Sequence, residues 1–306
     1  MKTSIVENKA PSGSTTVMNS SSHELLACTT SDVTVTEDCV NVSDGVSLKI
    51  IDFTPEDDGP EQPMIIFIAG LVSLISGWQN VLKQLTPRYR TIYIETREKK
   101  SALVPEDTTV DFSISRMTQD IAEFLQQRVP PERPFCFVGS SLGSTIILDY
   151  LSQDSRQSFD AFAIAPNCEF RVPLWFLLAL WFLPPFFYSA IKSTLKWYLR
   201  NFRLDKYREP EQVKKYEGTI DEAEPTRLKA CALAIKDYTL WDKLPNIKAP
   251  IFVIGARTDI LHEVDEIERM VSLMPSARLE IMESNKETHS ERAGVLIANE
   301  IAQHFL

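Results

Sequence analysis

A serine between two glycines is the residue of this 306-residue chain best suited to covalent chemistry. Ser141 stands in the run Gly139-Ser140-Ser141-Leu142-Gly143, between the apolar segments 135–138 and 142–151. This order predicts a strand, a sharp turn and a helix, with the serine on a strained turn that exposes its hydroxyl. Glycines beside it let neighbouring backbone pack closely. Ser141 is therefore our candidate nucleophile; the alternative is an ordinary serine turn at a helix N-terminus.

A serine nucleophile needs a base and an acid that orients the base. Asp259 follows the strand-like run 250–255, and His289 follows the strand-like run 278–282, before the last helix. Both would lie in loops at the carboxyl ends of parallel strands, where open α/β sheets bind their ligands. Among the four histidines, His262 competes with His289 as base, and Asp259 taken alone could be a turn residue.

Alternating strands and helices must hold these residues in place. Apolar runs predict buried strands at 64–68, 91–94, 135–138, 161–165, 250–255 and 278–282. Apolar positions at helical spacing predict helices around Met117 and Ile121, around Ile267 and Val271, and around Ile297 and Ile301. A hairpin turn at 43–45 joins strand candidates 39–42 and 46–53. The chain is therefore predicted to be α/β, with a mostly parallel sheet and helices on both faces.

These motifs, in this order, resemble the α/β-hydrolase superfamily over residues 40–306. Ala69-Gly70-Leu71 follows the strand 64–68 at the position of the family's first glycine loop, where relatives usually carry His-Gly. Glu95-Thr96-Arg97 resembles the family's Asp-x-Arg, but Glu98, Lys99 and Lys100 replace the glycines that usually follow. These replacements should stiffen that loop.

The resemblance implies an α/β-hydrolase sheet with an inserted helical cap, and a catalytic triad of Ser141, His289 and Asp259. His289 is preferred as base because relatives often have proline where His262 stands. The serine would attack a carbonyl, the histidine would carry its proton, and the aspartate would fix the histidine tautomer. The backbone N–H groups of Leu71 and Leu142 would form the oxyanion hole.

The implied activity is that of a serine hydrolase on carboxylic esters, like an esterase or lipase, acting through an acyl-enzyme. A thioesterase, amidase, peptidase, lyase or transferase could use the same triad, because fold does not fix function. A non-catalytic module that binds lipid or another ligand is a further alternative, given the changes at Ala69, Glu98 and Lys100. An intact triad speaks against it.

An apolar insertion follows the strand 161–165. Residues 172–191 carry no charge, but Pro184-Pro185 divides them into pieces too short to span a bilayer. The following segment to 203 has a basic helical face beside an apolar stripe, a pattern that suits an anionic interface. We predict a cap over 168–239 and an apolar, small-molecule or lipid ester substrate, with peripheral membrane contact through 172–203 as an open alternative to a simple cap.

Composition excludes several other classes. A net charge of −10 argues against a nucleic-acid partner. The five cysteines show no paired or metal-ligand spacing and no nucleotide loop is visible, so we expect no cofactor, no metal and a reducing, cytoplasmic compartment. Residues 1–31 are rich in Ser and Thr and are expected to be a disordered tail without a secretory signal; a transit peptide is an open alternative because acidic residues are few, although the lack of arginine speaks against it. The core is then expected at 32–167 and 240–306.

Overall fold

The computed structural model describes residues 20–105, 109–153, 160–170, 196–197, 201, 217–259 and 262–305. In this part of the chain, eight strands form one sheet in the order β1-β2-β4-β3-β5-β6-β7-β8. The strands are β1 (Val33–Asn41), β2 (Ser47–Pro55), β3 (Met64–Ile68), β4 (Thr91–Ile94), β5 (Phe135–Ser140), β6 (Ala161–Ile164), β7 (Ile251–Ala256) and β8 (Ala277–Met282). The pairs β1–β2 and β2–β4 are antiparallel, and the other neighbours are parallel. The predicted mostly parallel sheet is confirmed.

Helices pack on both faces of this sheet. They are α1 (Ser20–Leu26), α2 (Gln79–Leu85), α3 (Ile114–Arg128), α4 (Leu142–Gln153), α5 (Pro225–Ile235), α6 (Val264–Leu273), α7 (Asn285–Thr288) and α8 (Glu291–Phe305), with 3-10 turns at Ile75–Trp78 and Leu244–Asn246. Alternate residues of β3 enter different core clusters: Ile66 joins the cluster of α3, α4 and α6, whereas Phe67 joins that of α2 and α8. A strand buried on both faces explains why its sequence is continuously apolar.

The predicted hairpin is present, and Asn41 pairs with Ser47 around Gly45, whose φ is +83°. Of the tail that was expected to be disordered, residues 1–19 lie outside the described residues, whereas α1 follows them and Cys28 is fully buried. This short segment is held by burial against distant parts of the chain, which local periodicity does not reveal. Most of the predicted cap, including 172–191, lies outside the described residues. Among the helices that are described, none has the length and apolarity needed to cross a membrane.

Candidate active site

The carboxyl ends of β3, β5, β6, β7 and β8 bring the polar groups of the site together. The turn after β5 carries Ser141, whose backbone is in the left-handed region with φ +48°. Its N–H donates to the Ile164 carbonyl at 2.9 Å, and its own carbonyl accepts from the Thr145 N–H at 3.0 Å. The predicted strand, sharp turn and helix are therefore confirmed, and the strained residue is the serine itself.

The glycines of this turn are required by close packing. A Cβ on Gly143 would lie 2.0 Å from the Ile68 carbonyl oxygen, and one on Gly139 would lie 2.4 Å from Ile147 Cδ1. Both distances are far below van der Waals contact, so α4 can start this close to β3 and β5 only if these two positions lack side chains. Gly70 brings the loop after β3 against the nucleophile, since its added Cβ would lie 3.3 Å from Ser141 Cβ.

A histidine and an aspartate continue from the nucleophile in one hydrogen-bonded chain. His262 Nε2 lies 3.1 Å from Ser141 Oγ, and His262 Nδ1 lies 2.9 Å from Asp259 Oδ2. A carboxylate only accepts, so the ring proton belongs on Nδ1, and Nε2 is left free to accept the serine proton. The side chains of His262 and Asp259 are 10% and 2% exposed, so water screens this pair weakly.

The histidine beside Ser141 is thus His262, and the expected placement of His289 there has to be corrected. His289 ends α7: its ring lies 4.1 Å from that of Trp78, and its Nδ1 lies 3.0 Å from the Asn285 carbonyl. The His262 N–H donates to Asp259 Oδ1 at 3.3 Å. The Asp259 carboxylate and the His262 ring therefore both come from the segment that follows β7.

Two asparagines complete the polar site, and sequence reasoning missed both. Asn285, at the start of α7, donates through Nδ2 to Asp259 Oδ2 at 3.0 Å. Asn167, beyond β6, donates through Nδ2 to Ser141 Oγ at 3.0 Å. Their positions in loops just after β8 and β6, at the edge that carries the nucleophile, were the signal available in the sequence.

The two predicted oxyanion donors lie on the expected loops. Leu142 begins α4 directly after Ser141, and Leu71 follows Gly70. No hydrogen bond from either backbone N–H to another described loop or turn residue is found. The next residue, Val72, is in the left-handed region with φ +51°, and its N–H donates to Glu98 Oε1 at 3.4 Å.

Glu98, one of the residues that replace the family's glycines, is buried beneath this loop. Its Oε1 also accepts from the Thr96 hydroxyl at 2.9 Å, whereas Oε2 has no hydrogen-bond partner among the described residues. Burial raises the pKa of the Glu98 carboxyl above its ordinary value. The loop after β4 is held further by Arg97, which contacts Asp120 at 2.6 Å and Asp44 at 2.7 Å.

No three His, Cys, Asp or Glu side chains in the described ranges cluster in a way that would hold a metal ion. The chemistry that this arrangement can perform is the one expected of an activated serine: attack on a carbonyl, with proton transfer through an imidazole that a carboxylate orients.

Comparison with known proteins identifies a family and several solved structures with a similar fold. The family model described as serine aminopeptidase, S33 matches residues 106–290. No curated protein sequence matches the chain. Among solved structures, it is similar to the enol-lactonase of Burkholderia xenovorans LB400, with a TM-score of 0.71 and 16% identity over 87% of this chain and 100% of that one. It is also similar to an esterase of Exiguobacterium antarcticum, with a TM-score of 0.69 and 18% identity over 87% and 100%. A membrane phospholipase A described as a bacterial virulence factor gives a TM-score of 0.67 and 17% identity over 93% of this chain and 89% of that one.

Proposed function

The chain belongs to the serine aminopeptidase S33 family of α/β hydrolases, and from this premise we propose that it cleaves carboxylic esters of apolar acyl groups through an acyl-enzyme. The observation that carries the proposal is the continuous chain from Ser141 Oγ through His262 to Asp259, at 3.1 and 2.9 Å. These distances lie within the range at which a base can take the serine proton.

In the acylation step, Ser141 Oγ attacks the substrate carbonyl while its proton moves to His262 Nε2. The carbonyl oxygen becomes an oxyanion that the Leu71 and Leu142 N–H groups stabilise. The carbon–oxygen bond to the alcohol then breaks, and the alcohol leaves with the proton from His262. Asp259 stabilises the imidazolium that exists between these two transfers.

Asn285 has a supporting role in this scheme. Its amide donates to Asp259 Oδ2, the oxygen that also accepts from His262 Nδ1. This second donor restrains the carboxylate that orients the His262 ring. The position after β8, where the resemblance predicts the base, supplies this orienting amide instead.

The apolar character of the substrate is proposed from the uncharged segment 172–191 and from the esterase, lactonase and phospholipase among the similar structures. Peptide bonds are the second candidate substrate, because the matching family is described as serine aminopeptidase. The same triad would act on either bond, and the shape of the pocket would decide between them.

A fluorophosphonate probe, which modifies activated serines, tests the proposal. We expect the wild type to be labelled and Ser141→Ala to remain unlabelled. Hydrolysis of p-nitrophenyl esters of two to twelve carbons and of amino-acid p-nitroanilides would then identify the bond cleaved, with esters preferred over anilides. A folded wild type that resists the probe contradicts the proposal, and preference for an anilide replaces ester cleavage with amide cleavage.

A further inference from the structure

The side chain of Asn167 touches the reacting oxygen, which no part of the triad scheme explains. Its Nδ2 lies 3.0 Å from Ser141 Oγ, about as close as the histidine at 3.1 Å. The backbone of Asn167 is held near Ser141 by Thr145, whose hydroxyl donates to the backbone carbonyl of Asn167 at 2.8 Å. Thr145 stands one turn after Ser141 in α4, so the amide and the nucleophile share one rigid support.

Strained backbone is found at the edge of the sheet where Asn167 meets Ser141. In the described part of the chain, three non-glycine residues have left-handed backbone: Val72, Ser141 and Ala165. They follow β3, β5 and β6 at one edge of the sheet. Ala165 is buried, and its N–H donates to the Ile254 carbonyl at 2.8 Å. The turn at Ala165 redirects the chain at the end of β6, and two residues later the Asn167 amide meets Ser141 Oγ. Strain that is kept at such a position points to a functional requirement.

The proton positions fix what this amide does. The serine hydroxyl has one proton, and His262 Nε2 accepts it because the ring proton is on Nδ1. The other partner of Ser141 Oγ must then be a donor, which the Asn167 Nδ2 group is. The oxygen therefore donates to the base and accepts from the amide at the same time. An amide placed in this way stabilises negative charge on Ser141 Oγ.

We propose, resting on the ester hydrolysis proposed above, that Asn167 is a further catalytic residue that assists the departure of Ser141 Oγ during deacylation. Water attacks the acyl carbon and gives one proton to His262 Nε2. The bond from carbon to Oγ then breaks with its electron pair left on Oγ, which takes the proton from His262, and the carboxylic acid is released. The Asn167 amide donates to Oγ while negative charge develops there, and it transfers no proton.

The Asn167 amide is expected to accelerate deacylation more than acylation. In acylation, Ser141 Oγ must give its electron pair to the carbonyl, and a donor on that oxygen brings little benefit. In deacylation, Oγ is the leaving group, and the same hydrogen bond becomes stronger as charge builds. Loss of the amide should therefore slow deacylation by about 10- to 100-fold, the range for a hydrogen bond to a charged group, and change acylation much less.

The test uses Asn167→Leu, which keeps the size and removes the donor, and Asn167→Asp, which keeps the shape but cannot donate when ionised. The matched control is Gln127→Leu, which removes an exposed side-chain amide on α3. Stopped-flow release of p-nitrophenol from p-nitrophenyl butyrate separates the two steps, and intact-mass spectrometry reports the acyl-enzyme. The rate of fluorophosphonate labelling reports attack by Ser141 independently, and shows that each variant is folded.

We expect Asn167→Leu to release one p-nitrophenol per enzyme in a fast burst, to accumulate a protein heavier by one butyryl group, and to be labelled within about threefold of the wild-type rate. Asn167→Asp should turn over more slowly than the wild type and should also be labelled more slowly, because its carboxylate accepts the serine proton in competition with His262. Steady-state turnover within twofold of the wild type would overturn the role of Asn167. Labelling and turnover of Asn167→Leu that slow together without a burst would also overturn it, because the amide would then act before acylation. A wild type that the probe does not label overturns ester hydrolysis and this proposal together, whereas a labelled wild type with unaffected variants overturns this one alone.

Discussion

Replacement of Gly143 by alanine should separate α4 from β3 and disable the nucleophile. The added Cβ would lie 2.0 Å from the Ile68 carbonyl oxygen, 2.6 Å from the Ile68 carbonyl carbon and 2.8 Å from the Ala69 oxygen. All three are backbone atoms, and β3 is paired with β4 and β5 on its two sides, so it cannot move away. The start of α4 would have to retreat by more than 1 Å, a displacement of about the size that can cost a hundredfold in rate.

Gly143→Ala overpacks the core, and we expect it to lower the free energy of unfolding by roughly 1–3 kcal/mol or more. Gly59→Ala is the matched control, because nothing lies within 4 Å of its added Cβ, and it should leave the stability unchanged or raise it slightly. Gly70→Ala is intermediate, with its closest contacts at 3.3 Å, and should affect labelling of Ser141 more than stability.

Urea unfolding followed by tryptophan fluorescence measures the stability of the three variants, and the rate of fluorophosphonate labelling measures the reactivity of Ser141. We expect the order Gly59→Ala, Gly70→Ala, Gly143→Ala from least to most impaired in both assays. A Gly143→Ala protein with wild-type stability and labelling would refute the argument that the glycine is required by the approach of α4 to β3.

Three further predictions concern the surroundings of the site. Asn285→Leu removes the second donor to Asp259 and should lower kcat for p-nitrophenyl butyrate by about tenfold with little change in KM; an unchanged kcat would contradict its orienting role. Burial raises the pKa of Glu98, so the contribution of this carboxyl to stability is complete below the unfolded-state pKa near 4.5 and is lost as pH rises through the folded-state pKa. Glu98→Gln should therefore flatten the fall of the unfolding free energy with rising pH. Curves of unfolding free energy against pH that run parallel for the variant and the wild type would count against this. If the segment 172–203 contacts membranes, the protein should float with anionic liposomes at low salt and Trp197→Asp should reduce flotation, since this side chain is 58% exposed; protein that stays at the bottom of the gradient argues for a simple cap.

The fold was accessible from the sequence because buried parallel strands are continuous apolar runs. The elements around Ser141 could be placed for a similar reason: a strand, two glycines and a helix are local features, and close packing explains both glycines. Helix α1 was missed because it is held by burial against distant elements and has little pattern of its own.

The partners of Ser141 were harder to predict, since they depend on how loops turn. His262 lies close to Ser141 and also bonds Asp259 through its N–H, and spacing along the chain does not reveal which histidine faces a serine. Asn167 bonds the same oxygen two residues after Ala165, which adopts left-handed backbone, a conformation that alanine gives no reason to expect.

The central claim is that His262 is the base for Ser141, and the labelling rates of His262→Ala and His289→Ala test it most directly. We expect His262→Ala to lose about 10²- to 10⁴-fold in the rate of fluorophosphonate labelling, the usual range for a general base, while His289→Ala stays within a few-fold of the wild type. Both proteins should unfold in urea at concentrations close to the wild-type midpoint. A His289→Ala protein that is folded and unlabelled, beside a His262→Ala protein that reacts normally, would contradict the account.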